Sequence, residues 1–274
     1  MKKIAFVCDG GNFPNGAFEF LKMLNNTEPV SVRGIFFEPV DFQQLVSVSY
    51  IPVASPYVKL KEEERALVKK SKQDFARRCE SAHINYSIDD REQEWVAEVF
   101  AKETRFADIA VMSEELFCSD FSTSQPNVLM QEALRMAECP VVLVPENFKL
   151  LDRILVAYDG KKESMFALKQ FCYVLPQLVD KPVELVYVKK EENEEIPDID
   201  LLKEYSRIHF GSLGITKLHF NAHKYFSSWT EDKKNGMLVS GSYSRSTVSN
   251  FLKSSFATQV VHDHKMPVFI AHKN

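Results

Sequence analysis

The feature that most limits how this chain can fold is an internal repeat. Arg153-Ile154-Leu155-Val156-Ala157-Tyr158-Asp159-Gly160 repeats Lys3-Ile4-Ala5-Phe6-Val7-Cys8-Asp9-Gly10 in polarity, and the closing Asp-Gly is identical. The last apolar runs correspond as well, with Cys139-Pro140-Val141-Val142-Leu143-Val144 set against Met266-Pro267-Val268-Phe269-Ile270-Ala271. Short, continuous apolar runs suit strands that are covered on both faces. Between them lie segments with helical spacing, so the order is strand, helix, strand throughout, the grammar of an α/β fold with a parallel sheet. Two copies make a tandem duplication and not a solenoid. The seam falls at Pro145 to Leu151, which divides the chain into residues 1–147 and 151–274.

In the first half, the patterns predict strands at Lys3–Cys8, Val30–Phe37, Ile84–Ile88, Ile109–Met112 and Val141–Val144. Helices are expected at Gly16–Leu24, Lys59–Ser81, Trp95–Lys102 and Asn127–Ala137. The second half predicts strands at Arg153–Ala157, Val183–Val188, Ile215–Asn221, Met237–Val239 and Val268–Ala271. Its helices are expected at Glu163–Leu175 and Asp198–Gly211, with a turn or two near Trp229 and a final helix over Phe251–His264.

The sharpest chemical hint is the stretch Gly236 to Ala271. An apolar run stops abruptly at Ser240-Gly241-Ser242-Tyr243-Ser244, and a Ser-rich loop then opens onto the Phe251–His264 helix. A loop of small residues between a strand and a helix N-terminus presents several backbone N–H groups together, which suits an anion such as phosphate. A polar cap on a purely structural loop has the same composition, and the residues alone leave both readings open.

Composition narrows the class. A length of 274 residues allows one large domain or two ordinary ones, and 45% hydrophobic with 26% charged residues is typical of a folded soluble protein. The net charge of −4 shows no basic excess, so nucleic acid is not an expected partner. No apolar run approaches the roughly 20 residues that span a bilayer, so no membrane partner is expected, and the N-terminus does not read as a signal peptide. Cys8, Cys79, Cys118, Cys139 and Cys172 are odd in number and scattered. This fits a reducing cytoplasm, with Cys8 and Cys172 as packing residues.

Asp-Gly after strand one, a small-residue loop after strand four, and Pro opening strand five together resemble the universal stress protein (UspA-like) family, as a tandem of two such domains covering essentially the whole chain. The resemblance implies two Rossmann-like (adenine nucleotide α-hydrolase-like) domains. Each would have a five-stranded parallel sheet in the order 3-2-1-4-5, flanked by helices. ATP, or ADP or AMP, would lie across the carboxyl ends of the strands, with magnesium, at the switch point in strand order. The family's phosphate pattern, G-x-x-G, nine residues, then G-[S/T], falls on Gly241-Ser242-Tyr243-Ser244 and Ser254-Ser255. Its adenosine-side positions fall on Ala157, Asp159 and Val188. The implied nucleotide-binding set is thus Ala157, Asp159, Val188, Gly241, Tyr243, Ser244, Ser254 and Ser255. Ser replaces glycine at two of the motif positions, and Arg245 stands inside the loop. In the first half the same register reads Ser113-Glu114-Glu115-Leu116 and Pro126-Asn127, with no glycine and two carboxylates. That site is expected to be degenerate, with Asp9 capping a helix or turn. Family members pair through strand five, which implies an intramolecular pseudo-dimer with Val141–Val144 beside Val268–Ala271; further homo-dimerisation is open.

The expected role is a cytoplasmic regulatory or stress-response binding protein with no catalytic residues, any hydrolysis being slow and incidental. A nucleotide-independent scaffold with both sites degenerate is the alternative. The wider group's ATP-using enzymes carry S-G-G-x-D-S or H-I-G-H-type signatures that are absent here, and a receiver domain would need a phosphoacceptor Asp that Ile215 to His223 does not supply. His262-Asp263-His264 reads as a solvated helix end and not a metal site, because histidines two apart diverge on a helix. The charge run Lys189 to Glu195 reads as a solvated loop. The apolar connector 39–57 is expected to cover a sheet edge or the vacant first cleft.

Overall fold

The computed structural model describes residues 1–8, 11–37, 54–89, 97–116, 128–189, 195–219, 233, 235–241 and 266–272. Its strands are β1 (Lys2–Cys8), β2 (Val30–Phe36), β3 (Asn85–Ile88), β4 (Ile109–Ser113), β5 (Val141–Val144), β6 (Arg153–Ala157), β7 (Val183–Lys189), β8 (Leu213–His219), β9 (Gly236–Ser240) and β10 (Val268–Ile270). The helices are α1 (Asn15–Thr27), α2 (Ala54–Ser81), α3 (Ala97–Arg105), α4 (Val128–Met136), α5 (Lys162–Val174) and α6 (Ile199–His209). The expected helix near Trp229 and the expected helix Phe251–His264 lie outside the described residues, as does most of the connector 39–57. Among the described residues, no helix is long and apolar enough to cross a membrane.

All ten strands form a single sheet in the order β3-β2-β1-β4-β5-β10-β9-β6-β7-β8. Each run of five keeps the expected order 3-2-1-4-5, and the two runs join edge to edge into one sheet of ten. The two inner strands, β5 and β10, pair antiparallel with Val268 opposite Leu143, Phe269 opposite Val142 and Ile270 opposite Val141. Every other neighbouring pair is parallel. The merger has a plain cause: each closing strand is apolar on both faces, and an unpaired edge of that kind would expose unmet backbone groups.

Proline at the start of each closing strand gives up nothing, because its missing N–H falls before the ladder begins. Its carbonyl is still used, accepting from Ala110 N at Pro140 and from Leu238 N at Pro267, both at 2.9 Å. The repeat seen in the sequence therefore recurs in this bond.

Side chains alternate across the sheet and build one core on each face. Ile4, Phe6, Val142, Val144, Ile154, Val156 and Phe269 join the face covered by α1, α2, α5 and α6. Ala5, Val7, Val141, Leu143, Leu155, Val268 and Ile270 join the other, which α3 and α4 cover in the first half. Both cores run across the β5–β10 seam. The strongly charged α2 is anchored by Phe75, fully buried, whose ring stacks on Phe6 at 5.2 Å and meets Phe18, Phe36 and Tyr86 edge-on. Gly34 in β2 makes room for that ring, since a Cβ there would come within 2.9 Å of it.

β8 begins at Leu213, two residues before the position read from the sequence. Gly214 looks like a strand breaker, yet it pairs normally with Glu184, and a Cβ there would meet only ordinary contacts.

Candidate functional site

The chain runs outward from β6 to β7 and β8, then returns to place β9 on the other side of β6. Strand order therefore reverses between β6 and β9, and a crevice at the carboxyl ends of such strands is where open α/β sheets take ligands. Val156 lies opposite Val239 and Ala157 opposite Val186. This register brings four of the expected residues to one edge: Ala157 at the end of β6, Asp159 just beyond it, Val188 near the end of β7, and Gly241 just past β9. Tyr243, Ser244, Ser254 and Ser255 lie outside the described residues, as do Asp9 and Arg245.

Local chemistry explains the turn after β6. Gly160 takes φ +77°, a conformation that favours glycine, and this turns the chain into α5. Asp159 Oδ1 accepts from Lys161 N at 3.1 Å, and its Oδ2 lies 3.3 Å from Lys161 Nζ. The carboxylate thus organises the entry to α5 while remaining half-exposed. The connector beyond β7 is pinned to the same turn. Pro197 would be 2.7 Å from a Cβ on Gly160, and its carbonyl accepts from the Tyr158 hydroxyl at 3.0 Å. Burial, with Asp198 and Asp159 nearby, raises the Tyr158 pKa, so the phenol stays a donor. The connector's last residues are therefore fixed over the β6 edge, while 190–194 lie outside the described residues.

Gly241 has a role that sequence reasoning missed. A Cβ there would sit 2.1 Å from the Glu163 carbonyl oxygen and 2.8 Å from Ser164 N. The end of β9 is pressed against the first turn of α5, so packing alone requires glycine. At this residue the side on which a Cβ would stand is filled by the helix. The signal was present in the sequence only as the glycine itself, because the identity of its neighbour depends on tertiary packing.

The corresponding edge of the first half is occupied by the chain's own carboxylates. Glu146 accepts from Asn15 Nδ2 and from Gly16 N at the first turn of α1, the latter at 3.3 Å. Glu115 accepts from Glu146 N at 3.2 Å, and its own amide donates to Ser113 Oγ at 3.1 Å. These carboxylates answer the partial positive charge of the α1 N-terminus. Glu114 is buried, and burial followed by the nearby Glu115 pushes its carboxyl well above the usual range. Leu116 is buried too.

No family model matches the chain. Its sequence is 22% identical over 163 residues to Universal stress protein Slr1230 of Synechocystis sp., a match covering 59% of this chain. The chain spans 56% of the length of that relative. The fold overlays a universal stress protein from Archaeoglobus fulgidus with a TM-score of 0.72 at 15% identity, covering 100% of this chain and 97% of the other. The chain has a UspA-like fold. In this UspA-like fold the carboxyl edges of the two halves differ in kind, one closed by Glu115 and Glu146, the other carrying a half-exposed Asp159 beside Gly241.

Magnesium finds little built for it among the described residues. Asp159 is a single carboxylate, already paired with an ammonium group, and no group of three or more potential metal-ligating side chains occurs among them. Magnesium held by one carboxylate usually relies on substrate phosphates for further ligands, so any magnesium here would arrive with a nucleotide.

Proposed function

We propose that this UspA-like chain is a regulatory binding protein, made of two such domains. The second takes ATP or a related adenine nucleotide at the carboxyl ends of β6, β7 and β9. The observation that carries this reading is the placement of Asp159 and Gly241 at the ends of adjacent strands where strand order reverses. In this reading Asp159 accepts from ribose or adenine donors, and Ala157 and Val188 flank the base. The loop from Gly241 through Tyr243 and Ser244 to Ser254 and Ser255 supplies amide and hydroxyl donors to the phosphates. A bound nucleotide would bring magnesium, which neutralises phosphate charge; no step of chemistry is assigned to it. The first domain does not take a nucleotide, because Glu115 and Glu146 set negative charge at its edge.

Titration calorimetry with ATP, ADP and AMP tests this. The expected result is saturable heat with one site per chain, weakened roughly tenfold or more in Asp159→Asn, which removes a charged acceptor. A Gly241 substitution is unsuitable, since it would strain the packing against α5 whether or not a ligand binds. No heat with any of the three nucleotides would instead support a nucleotide-independent scaffold.

A further inference from the structure

At the amino ends of the strands, opposite the Asp159 edge, the last turn of α6 and the start of β8 line an open cavity of about 340 Å³. We propose that this cavity is a second ligand site, for a small organic anion with a phosphate or carboxylate head on an apolar body. Its residues fall into two sets. Phe210, Leu213 and Ile215 supply apolar walls, while Lys203 and Arg207 supply two positive charges. Among the described residues, no Asp or Glu lines it. Lys203 and Arg207 are four apart on α6 and so share a face; both are exposed, and neither is ion-paired among the described residues.

The independent observation is Ser206, which also lines the cavity. It is only 2% exposed, and its hydroxyl oxygen is buried without a hydrogen-bond partner among the described residues. Leaving a buried hydroxyl unpaired costs about 1–3 kcal/mol, and a bound anion would satisfy it. Basic residues in the last turn of a helix also answer its negative end, and that accounts for Lys203 and Arg207 alone. It accounts neither for a cavity beside them nor for an unpartnered serine within it. Two full charges exceed the helix end's roughly half charge, so the site stays anion-selective. At about 340 Å³ it lies at the small end of ligand pockets.

The test uses the full chain and phenyl phosphate, with inorganic phosphate and benzyl alcohol as the separate head and body. Phenyl phosphate should bind saturably and more tightly than either, and added salt should weaken it. The Lys203→Ala/Arg207→Ala double variant should lose at least tenfold in affinity. Ser206→Ala should also weaken binding severalfold, yet leave the ligand-free melting temperature unchanged or higher, because the hydroxyl has no partner to lose. Absence of saturable binding would overturn the proposal, and so would undiminished affinity in the double variant. Equal affinity for inorganic phosphate would overturn the apolar half of it. Loss of phenyl phosphate binding in Asp159→Asn, with the double variant unaffected, would move the ligand to the carboxyl edge and refute this site. Failure of ATP binding leaves the proposal standing, since the two sites lie at opposite ends of the strands.

Discussion

A methyl group added at Gly241 would meet backbone, which cannot rotate away as a flexible side chain can. Overpacking of this kind typically costs about 1–3 kcal/mol, and the 2.1 Å approach to the Glu163 carbonyl places Gly241→Ala at the upper end. Gly16 is similarly confined, with a Cβ position 2.0 Å from the Pro145 carbonyl oxygen. Urea denaturation should therefore show both alanine variants destabilised by about 3 kcal/mol. Gly214→Ala, where the nearest neighbour would be 3.8 Å away, should be close to neutral. A stable Gly241→Ala would mean that the glycine is kept for a ligand and not for packing. From the sequence, Gly241 could be read only through its motif position. Which of two demands makes a glycine necessary depends on what packs against it, and Glu163 is nearly eighty positions away.

Among the elements, the helices and strands with clear periodicity were legible, and so were the proline-initiated closing strands. α2 was legible as a long charged helix but not as one held by a single aromatic. Phe75 is the only Phe in that segment, and its role depends on Phe6, Phe18 and Phe36 meeting it from three other elements. Phe75→Ala should cost about 3–5 kcal/mol, as for a large buried aromatic, measured as a fall in the urea midpoint at constant slope. A loss below about 1 kcal/mol would show that α2 is anchored elsewhere. β8 starts two residues before the expected Ile215, because the backbone of Leu213 and Gly214 already continues the ladder. The candidate site was legible as far as Ala157, Asp159, Val188 and Gly241, whose shared edge follows from topology. The closure of the first half's edge was legible only as Glu114 and Glu115. Glu146 had no motif to mark it.

For the molecule as a whole, the repeat gives two halves, and the sheet and both cores run across the seam between them. A shared core favours joint unfolding. Pulse labelling of thiols during urea unfolding can test this, because Cys79 lies in the first half and Cys172 in the second, both buried. Burial holds the Cys79 thiol up at about 12 and raises that of Cys172, so neither should react while folded. Their labelling midpoints should coincide; separated midpoints would show that each half unfolds alone. In the function proposed above, the two carboxyl edges of this one sheet do different work. Amide hydrogen exchange with and without ATP tests that division most directly. Added protection is expected at residues 157–163 and 239–241, with none at 11–16 or 113–116. Protection at the first half's edge, or at neither edge, would contradict it.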